Sequence, residues 1–269
     1  MWPVWNVSYI FGVFTYGAGI RACFRECRGP VRRDHRGARF RHAPSYTAEM
    51  NQSVPSAVPA STATGRTNDP ARTMANILEV AIAEFAEKGL AGARIDEIAA
   101  ATQTSKRMIY YYFESKEGLY LAALEESYRR MREIESEQHL DDLEPEAALR
   151  RLVEFTFDHH ASHEDYIRLV ISENMNRGQF LAQSKSIQQL NVPAISAIHR
   201  LYERGVAGGI FRPGLDPIDI HASISALTFF NVSNRHTFGL IFKRDLTAPE
   251  VKAQRRASIV DMVLRFVRA

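Results

Sequence analysis

Between Arg94 and Lys116 the apolar residues trace two short stripes separated by a polar triplet, and few folds accept that pattern. Ile95, Ile98 and Ala99 stand at i, i+3 and i+4, which is one face of a helix. Ala99, Ala100 and Ala101 are small enough for a second helix to approach closely. Thr102-Gln103-Thr104 then interrupts the apolar pattern. Thr104 or Ser105 offers a hydroxyl that can accept a backbone N–H and start a new helix. In that second helix Ile109 and Phe113, four apart, face inward, while Lys106, Arg107 and Met108 fill the first turn. Two short helices around a tight turn are the arithmetic of a helix-turn-helix, whose second helix enters the DNA major groove N-terminus first.

The side chains on this second helix suit a DNA face. Arg107 is able to pair bidentately with guanine O6 and N7, and Lys106 can reach the same acceptors or a phosphate. Tyr110 and Tyr112 supply phenolic O–H donors for phosphate oxygens. Lys116 opens the next helix, where its ammonium and the first amides can hold one phosphate together. Arg94, just before the first helix, is placed for a backbone contact, and Arg72 is a weaker candidate of the same kind. The DNA-contacting set is therefore Arg94, Ser105, Lys106, Arg107, Met108, Tyr110, Tyr112 and Lys116. The plainer reading of the aromatic run is core, and it is assigned to Phe113 and in part to Tyr111.

The run Ile98-Ala99, Ser105-Lys106, Ile109-Tyr110-Tyr111-Tyr112-Phe113 and Ser115-Lys116-Glu117-Gly118-Leu119 resembles the DNA-binding signature of TetR/AcrR-family transcriptional regulators. The likeness covers about fifty residues, from Pro70 to Leu121, at fixed spacing. The family pattern has a turn glycine and a valine where this chain has Gln103 and Thr104, and a histidine where it has Tyr112. A non-glycine residue in a left-handed turn costs roughly 1 kcal/mol, so the turn is expected to be kept. The resemblance implies an all-α fold, with a three-helix head and a larger helical body that dimerises and holds a small effector.

Charge by itself does not announce a DNA binder. The formal net charge is +3, but residues 1–50 carry eight Lys/Arg and three Asp/Glu, a surplus of five that leaves residues 51–269 at −2. Basic character for DNA must then be local, around Lys106, Arg107 and Lys116. The first fifty residues are unlike the rest: Trp2 to Ile20 is aromatic and apolar, and Arg21 to Arg41 is rich in arginine. A signal peptide wants positive charge ahead of the apolar run, and none is there. A membrane helix needs about 20 apolar residues, and Pro3, Asn6, Ser8, Gly12, Thr15, Gly17 and Gly19 dilute this one. The preferred reading is upstream sequence translated from an early start codon, with Met50 beginning the native protein. Both cysteines, Cys23 and Cys27, lie in this segment, too few and too isolated for a metal site. Residues 51–68 are small, polar and proline-containing, a disordered arm from which Arg66 can reach DNA.

Three segments follow: an extension over 1–68, a helix-turn-helix head over 69–118, and an effector-binding and dimerisation body over 119–269. Asp69 caps a first helix with Pro70 at its first position. Ile77, Ala81 and Phe85, widened by Leu78 and Ile82, form its inner stripe, and Gly89 ends it. Helices are expected over about 116–135, 145–161, 166–176, 187–207, 217–242 and 249–267, with Pro193 tolerated near the start of its helix or as a kink. Nothing alternates for long enough to make a sheet.

In the family the two C-terminal helices pair with a second copy, here through Ile220, Ile224, Leu227 and Phe230 on one and Ile259, Met262, Val263 and Phe266 on the other. The plainer reading of these residues is an intrachain core. A symmetric dimer is expected because two recognition helices must meet half-sites about 34 Å apart. Candidate effector contacts are polar residues set in apolar helices: Arg168, Glu173, Asn174, Asn231 and Asn234, with His159, His160, Arg235 and His236 beside them. Arg168 is able to clamp a carboxylate. Adjacent histidines on a helix diverge by about 100°, so no metal is assigned to His159, His160 and His163. Phe155, Phe157, Phe229 and Phe230 line either a pocket or the core. There is no nucleophile elbow, His-Glu-x-x-His, phosphate loop or dinucleotide fingerprint, so no enzyme and no cofactor is assigned.

The expected protein is a cytoplasmic regulator, without a membrane partner, that binds double-stranded operator DNA as a homodimer and is released by an unknown small-molecule effector. Repression is what the family implies. An activator or effector-independent regulator of the same fold, and a helical adaptor without DNA binding, are the alternatives.

Overall fold

The computed structural model describes residues 69–269; the apolar run Trp2–Ile20, Cys23, Cys27, the start at Met50 and the arm with Arg66 lie outside the described residues. Asp69 Oδ1 accepts the amides of Ala71 and Arg72, and α1 runs Pro70–Gly92. Gly89, at φ 65°, breaks its helical path one turn before the end, where the sequence predicts a stop. Next come α2 (Ile95–Ala101), α3 (Lys106–Phe113) and α4 (Lys116–Ser136). The body continues with α5 (Pro145–Ser162), α6 (Glu164–Met175), α7 (Ile187–Ala207), α8 (Pro217–Ser233), α9 (Arg235–Phe242) and α10 (Pro249–Val267). Extended pairing among the described residues amounts to one isolated bridge, Phe211 with Arg268.

Two boundaries differ from the sequence expectation. The break between α5 and α6 falls on His163, so α6 begins at Glu164 and not at Tyr166. The single helix expected over 217–242 is two, because Asn234 leaves helical geometry (φ −110°, ψ 3°) and α9 starts after it. Pro193 sits inside α7 and does not end it.

Two apolar clusters hold the chain. One joins Ile77, Phe85, Ile98, Ile109, Phe113 and Leu119 of the first four helices to Leu169 of α6 and Phe180 just beyond it. Its centre is Tyr120, fully buried, with edge-on contacts to Phe85 and to Phe180, both at 5.2 Å. The Tyr120 hydroxyl donates to Ser172 Oγ at 3.1 Å, so the ring buries its face without losing its polar partner. The expected boundary at residue 118 lies in the first turn of α4, and the apolar core runs across it without a seam. The second cluster gathers Leu149, Leu152, Ile198, Leu201, Ile224 and Ile259 from α5, α7, α8 and α10. Each such aliphatic side chain contributes about 1.5–3 kcal/mol on burial.

Candidate nucleic-acid interface

The turn between α2 and α3 is built by local bonds. The Thr102 hydroxyl donates to the Ile98 carbonyl at 2.8 Å, and the Thr104 amide reaches back to the Ala99 carbonyl at 3.0 Å. Gln103 takes the left-handed conformation, φ 54°, at the position where the family pattern has glycine. Ser105, not Thr104, caps α3: its Oγ accepts the Met108 amide at 3.2 Å. Ile98, Ile109 and Phe113 anchor α3 to the core, which fixes the direction of its outer face.

That outer face carries Lys106, Arg107, Tyr110 and Tyr111. Arg107 and Tyr110 project into solvent as the sequence predicts. Lys106 is also exposed, but its ammonium is ion-paired with Asp96 on α2. Such an exposed pair is worth at most about 1 kcal/mol, so a phosphate can displace the carboxylate. Met108 is half-buried, and Tyr112 packs edge-on against Phe113 while flanking the core. Ser105 is exposed but serves as a cap.

Tyr111 corrects the sequence reading. It is 74 % exposed, the most open aromatic on α3, and not part of the core. The signal was available: two residues past the inward Ile109 is a 200° rotation, which is the opposite face.

Lys116 and Arg94 flank the helix-turn-helix. The Lys116 ammonium lies 3.4 Å from the Ala91 carbonyl, at the end of α1, beside the Ser115 cap of α4. Arg94 precedes α2; its amide donates to Glu84 Oε1 at 3.1 Å, and its side chain is exposed. Arg72 is exposed in the first turn of α1.

In the body the structure brings together only part of the expected effector set. Arg168 is ion-paired to Glu164 on α6 and to Glu87 on α1. Glu173 is buried, and its Oε1 accepts the amides of Phe180 and Leu181 at 2.9 and 3.0 Å, which makes it a cap for the turn after α6. Asn174 is exposed and donates to the Val170 carbonyl. Asn234 marks the α8–α9 break. Asn231, by contrast, lines a cavity together with Arg235 and with Lys252, a residue the sequence did not single out. His160 is buried and its Nδ1 lies 3.0 Å from the Thr228 hydroxyl, while the His159 ring stacks on His163 at 4.0 Å. Among the described residues no three His, Cys, Asp or Glu side chains cluster as metal ligands, and no helix is long and apolar enough to cross a membrane.

The residues expected to face a second copy divide. Ile220, Ile224, Ile259 and Val263 are buried inside this chain and belong to its own core, and Leu227 packs against that core. Phe230, Met262 and Phe266 face outward, and α9 adds exposed Leu240, Ile241 and Phe242.

The likeness to known proteins falls on these same segments. The family profile described as "Bacterial regulatory proteins, tetR family" matches residues 77–123, which span the helix-turn-helix. A second, "Tetracyclin repressor-like, C-terminal domain", matches residues 145–263. The HTH-type transcriptional repressor NicS of Pseudomonas putida is 34 % identical over 197 residues, which are 73 % of this chain and 93 % of that protein. The HTH-type transcriptional repressor SCO4008 of Streptomyces coelicolor is 36 % identical over 139 residues, 51 % of this chain and 69 % of that one. Among solved structures, a transcriptional regulator of Streptomyces coelicolor, SCO4942, superposes with a TM-score of 0.54 at 28 % identity, covering 72 % of this chain and 98 % of that one. The chain belongs to the TetR family of bacterial DNA-binding transcriptional regulators.

Proposed function

We propose that this regulator is a repressor that occupies a palindromic operator as a homodimer and leaves it when a small molecule binds the body. The observation that carries the DNA-reading part is the outer face of α3: Lys106, Arg107, Tyr110 and Tyr111 stand clear of a core that locks Ile109 and Phe113. Arg107 reads bases in the major groove and Lys106 takes a base acceptor or a phosphate beside it; Tyr110, Tyr111, Tyr112, Lys116 and Arg94 set register on the phosphates. Support for repression comes from NicS and SCO4008, both named as transcriptional repressors.

Support for the dimer is the outward apolar surface of Phe230, Met262 and Phe266, continued by Leu240, Ile241 and Phe242. Large apolar side chains left exposed in this number mark an interaction surface. An effector lowers operator occupancy only if it prefers a dimer geometry that mismatches the half-sites.

The test is an anisotropy titration of the protein on the DNA upstream of its own gene, against scrambled DNA, at physiological salt. The expected result is tight, sequence-dependent binding of two chains per site, with Arg107→Ala losing about 1–3 kcal/mol and much of the sequence preference. Equal binding to both DNAs in a genome-wide selection sinks the operator reading.

A further inference from the structure

A cavity of about 160 Å³ lies between α5, α8 and α10, closed by the segment after α9. That is about the size of a cavity that takes one benzene ring. Phe157, Val232 and Leu246 give it an apolar wall. Its polar side holds Asn231, Arg235 and Lys252, so two cations and no carboxylate line it. Asn231 is fixed in orientation: its amide nitrogen donates to the Leu227 carbonyl at 2.7 Å, and its Oδ1 accepts Arg255 Nε at 3.1 Å. A larger cavity of the body, about 590 Å³ between α4, α5 and α7, is different in kind. Its arginines are matched by carboxylates of the same lining, Arg129 by Glu133, Arg132 by Glu135 and Arg200 by Asp141, whereas Glu164, the carboxylate paired with Arg235, lies outside the α5–α8–α10 lining. Cations at a partly desolvated, apolar-walled site favour an anion there.

We propose that the α5–α8–α10 cavity binds a small organic carboxylate, its apolar body against Phe157 and Leu246 and its carboxylate shared by Arg235 and Lys252. This rests on the reading of the body as an effector domain. It also supplies a route to the head. Arg235 donates to Glu164, the first residue of α6; Glu164 also accepts from Arg168 at 3.1 Å; and Arg168 is ion-paired with Glu87 on α1. A ligand carboxylate that takes Arg235 from Glu164 changes the partners of the side chains that tie α6 to α1, the helix on which the helix-turn-helix is built. The ties are partly exposed and individually weak, so the shift is graded and reversible.

Calorimetry on the full chain with benzoate, butyrate, benzamide and inorganic phosphate tests this. Benzoate or butyrate is expected to bind, with benzamide and phosphate at least about ten-fold weaker, because the site needs both the charge and the apolar body. Lys252→Met is expected to weaken the carboxylate about ten-fold or more while circular dichroism and ligand-free operator affinity stay unchanged, and Arg235→Gln to weaken it as much and, by cutting the tie to Glu164, to shift ligand-free operator affinity in the direction the carboxylate does. Glu164→Gln, which releases Arg235, is expected to tighten the carboxylate several-fold and to blunt its effect on operator binding. The proposal is overturned if neither carboxylate binds, if benzamide or phosphate binds as tightly, or if the Arg235 and Lys252 variants bind like the parent. An unchanged response in Glu164→Gln overturns the route to α1. Carboxylate binding by a protein that ignores all operator DNA would instead leave the site standing and remove the repressor reading.

Discussion

The Lys106 ammonium and the Asp96 carboxylate face each other across the helix-turn-helix, which places a counter-charge on the surface that must meet phosphates. Asp96→Asn removes that competitor. DNA affinity at moderate salt is expected to rise about three- to ten-fold, and Lys106→Ala to flatten the dependence of log affinity on log salt by about one unit. Anisotropy titrations across a salt series check both, and an Asp96→Asn protein with unaltered affinity would show that Asp96 does not compete with DNA for Lys106.

Tyr111 and Tyr112 are neighbours in sequence, one open to solvent and one packed against the core. Tyr111→Ala removes an exposed ring and is expected to leave the melting temperature within about 1–2 °C while weakening operator binding. Tyr112→Ala removes a ring packed on Phe113 and is expected to cost about 1–3 kcal/mol of stability. Thermal melts paired with binding curves separate the two; a large loss of stability in Tyr111→Ala contradicts its placement.

Two glycines are fixed by what they touch. A Cβ on Gly118 would sit 2.2 Å from the Phe113 carbonyl oxygen, and one on Gly205 would sit 2.0 Å from the Phe211 ring. Both alanine variants are expected to lose about 1–3 kcal/mol through overpacking. Only Gly118→Ala should also cut operator affinity in the folded protein, because the atom it displaces ends α3. Denaturant titration and DNA binding at full folding distinguish them.

Burial pushes the imidazole of His160 down to about 3, and those of His159 and His221 down to about 4, with the neighbouring His163 adding to the effect on His159. In the unfolded chain all three take a proton near pH 6.5. Between that pH and the folded values the unfolded state binds more protons, so acidification destabilises the fold. The slope approaches about 1.4 kcal/mol per pH unit for each imidazole. His160→Gln is expected to reduce the loss of stability between pH 6.5 and 4.5; equal acid sensitivity in that variant would assign the effect elsewhere.

The head was readable because its determinants are local. Asp69, Ser105 and Ser115 cap the helices they precede, and Ile98, Ile109 and Phe113 lie at helical spacing, so a few adjacent residues decide each feature. The break at Asn234 was not readable: it directly follows Thr228-Phe229-Phe230-Asn231-Val232-Ser233, a stretch that holds no proline or glycine to announce it. The surroundings of the effector candidates were hidden for a different reason. Arg168 looks free in sequence, yet one of its carboxylate partners, Glu87, stands 81 residues earlier. Lys252, in an ordinary-looking stretch of α10, gained interest only when the fold set it beside Arg235.

The continuous core around Tyr120 makes α4 a lever. With 21 residues at 1.5 Å each, α4 is about 31 Å long. Because Phe85, Tyr120 and Phe180 lock α1, α4 and α6 together at one end, a disturbance there cannot be absorbed by a loose joint and passes on as rotation. Tyr120 lies in the second turn of α4, so the far end of the arm is the body end at Ser136, and a shift of roughly 3 Å there turns the locked head by about 6°. On the proposed dimer, a turn of that order is what would put two recognition helices out of step with the turns of a duplex.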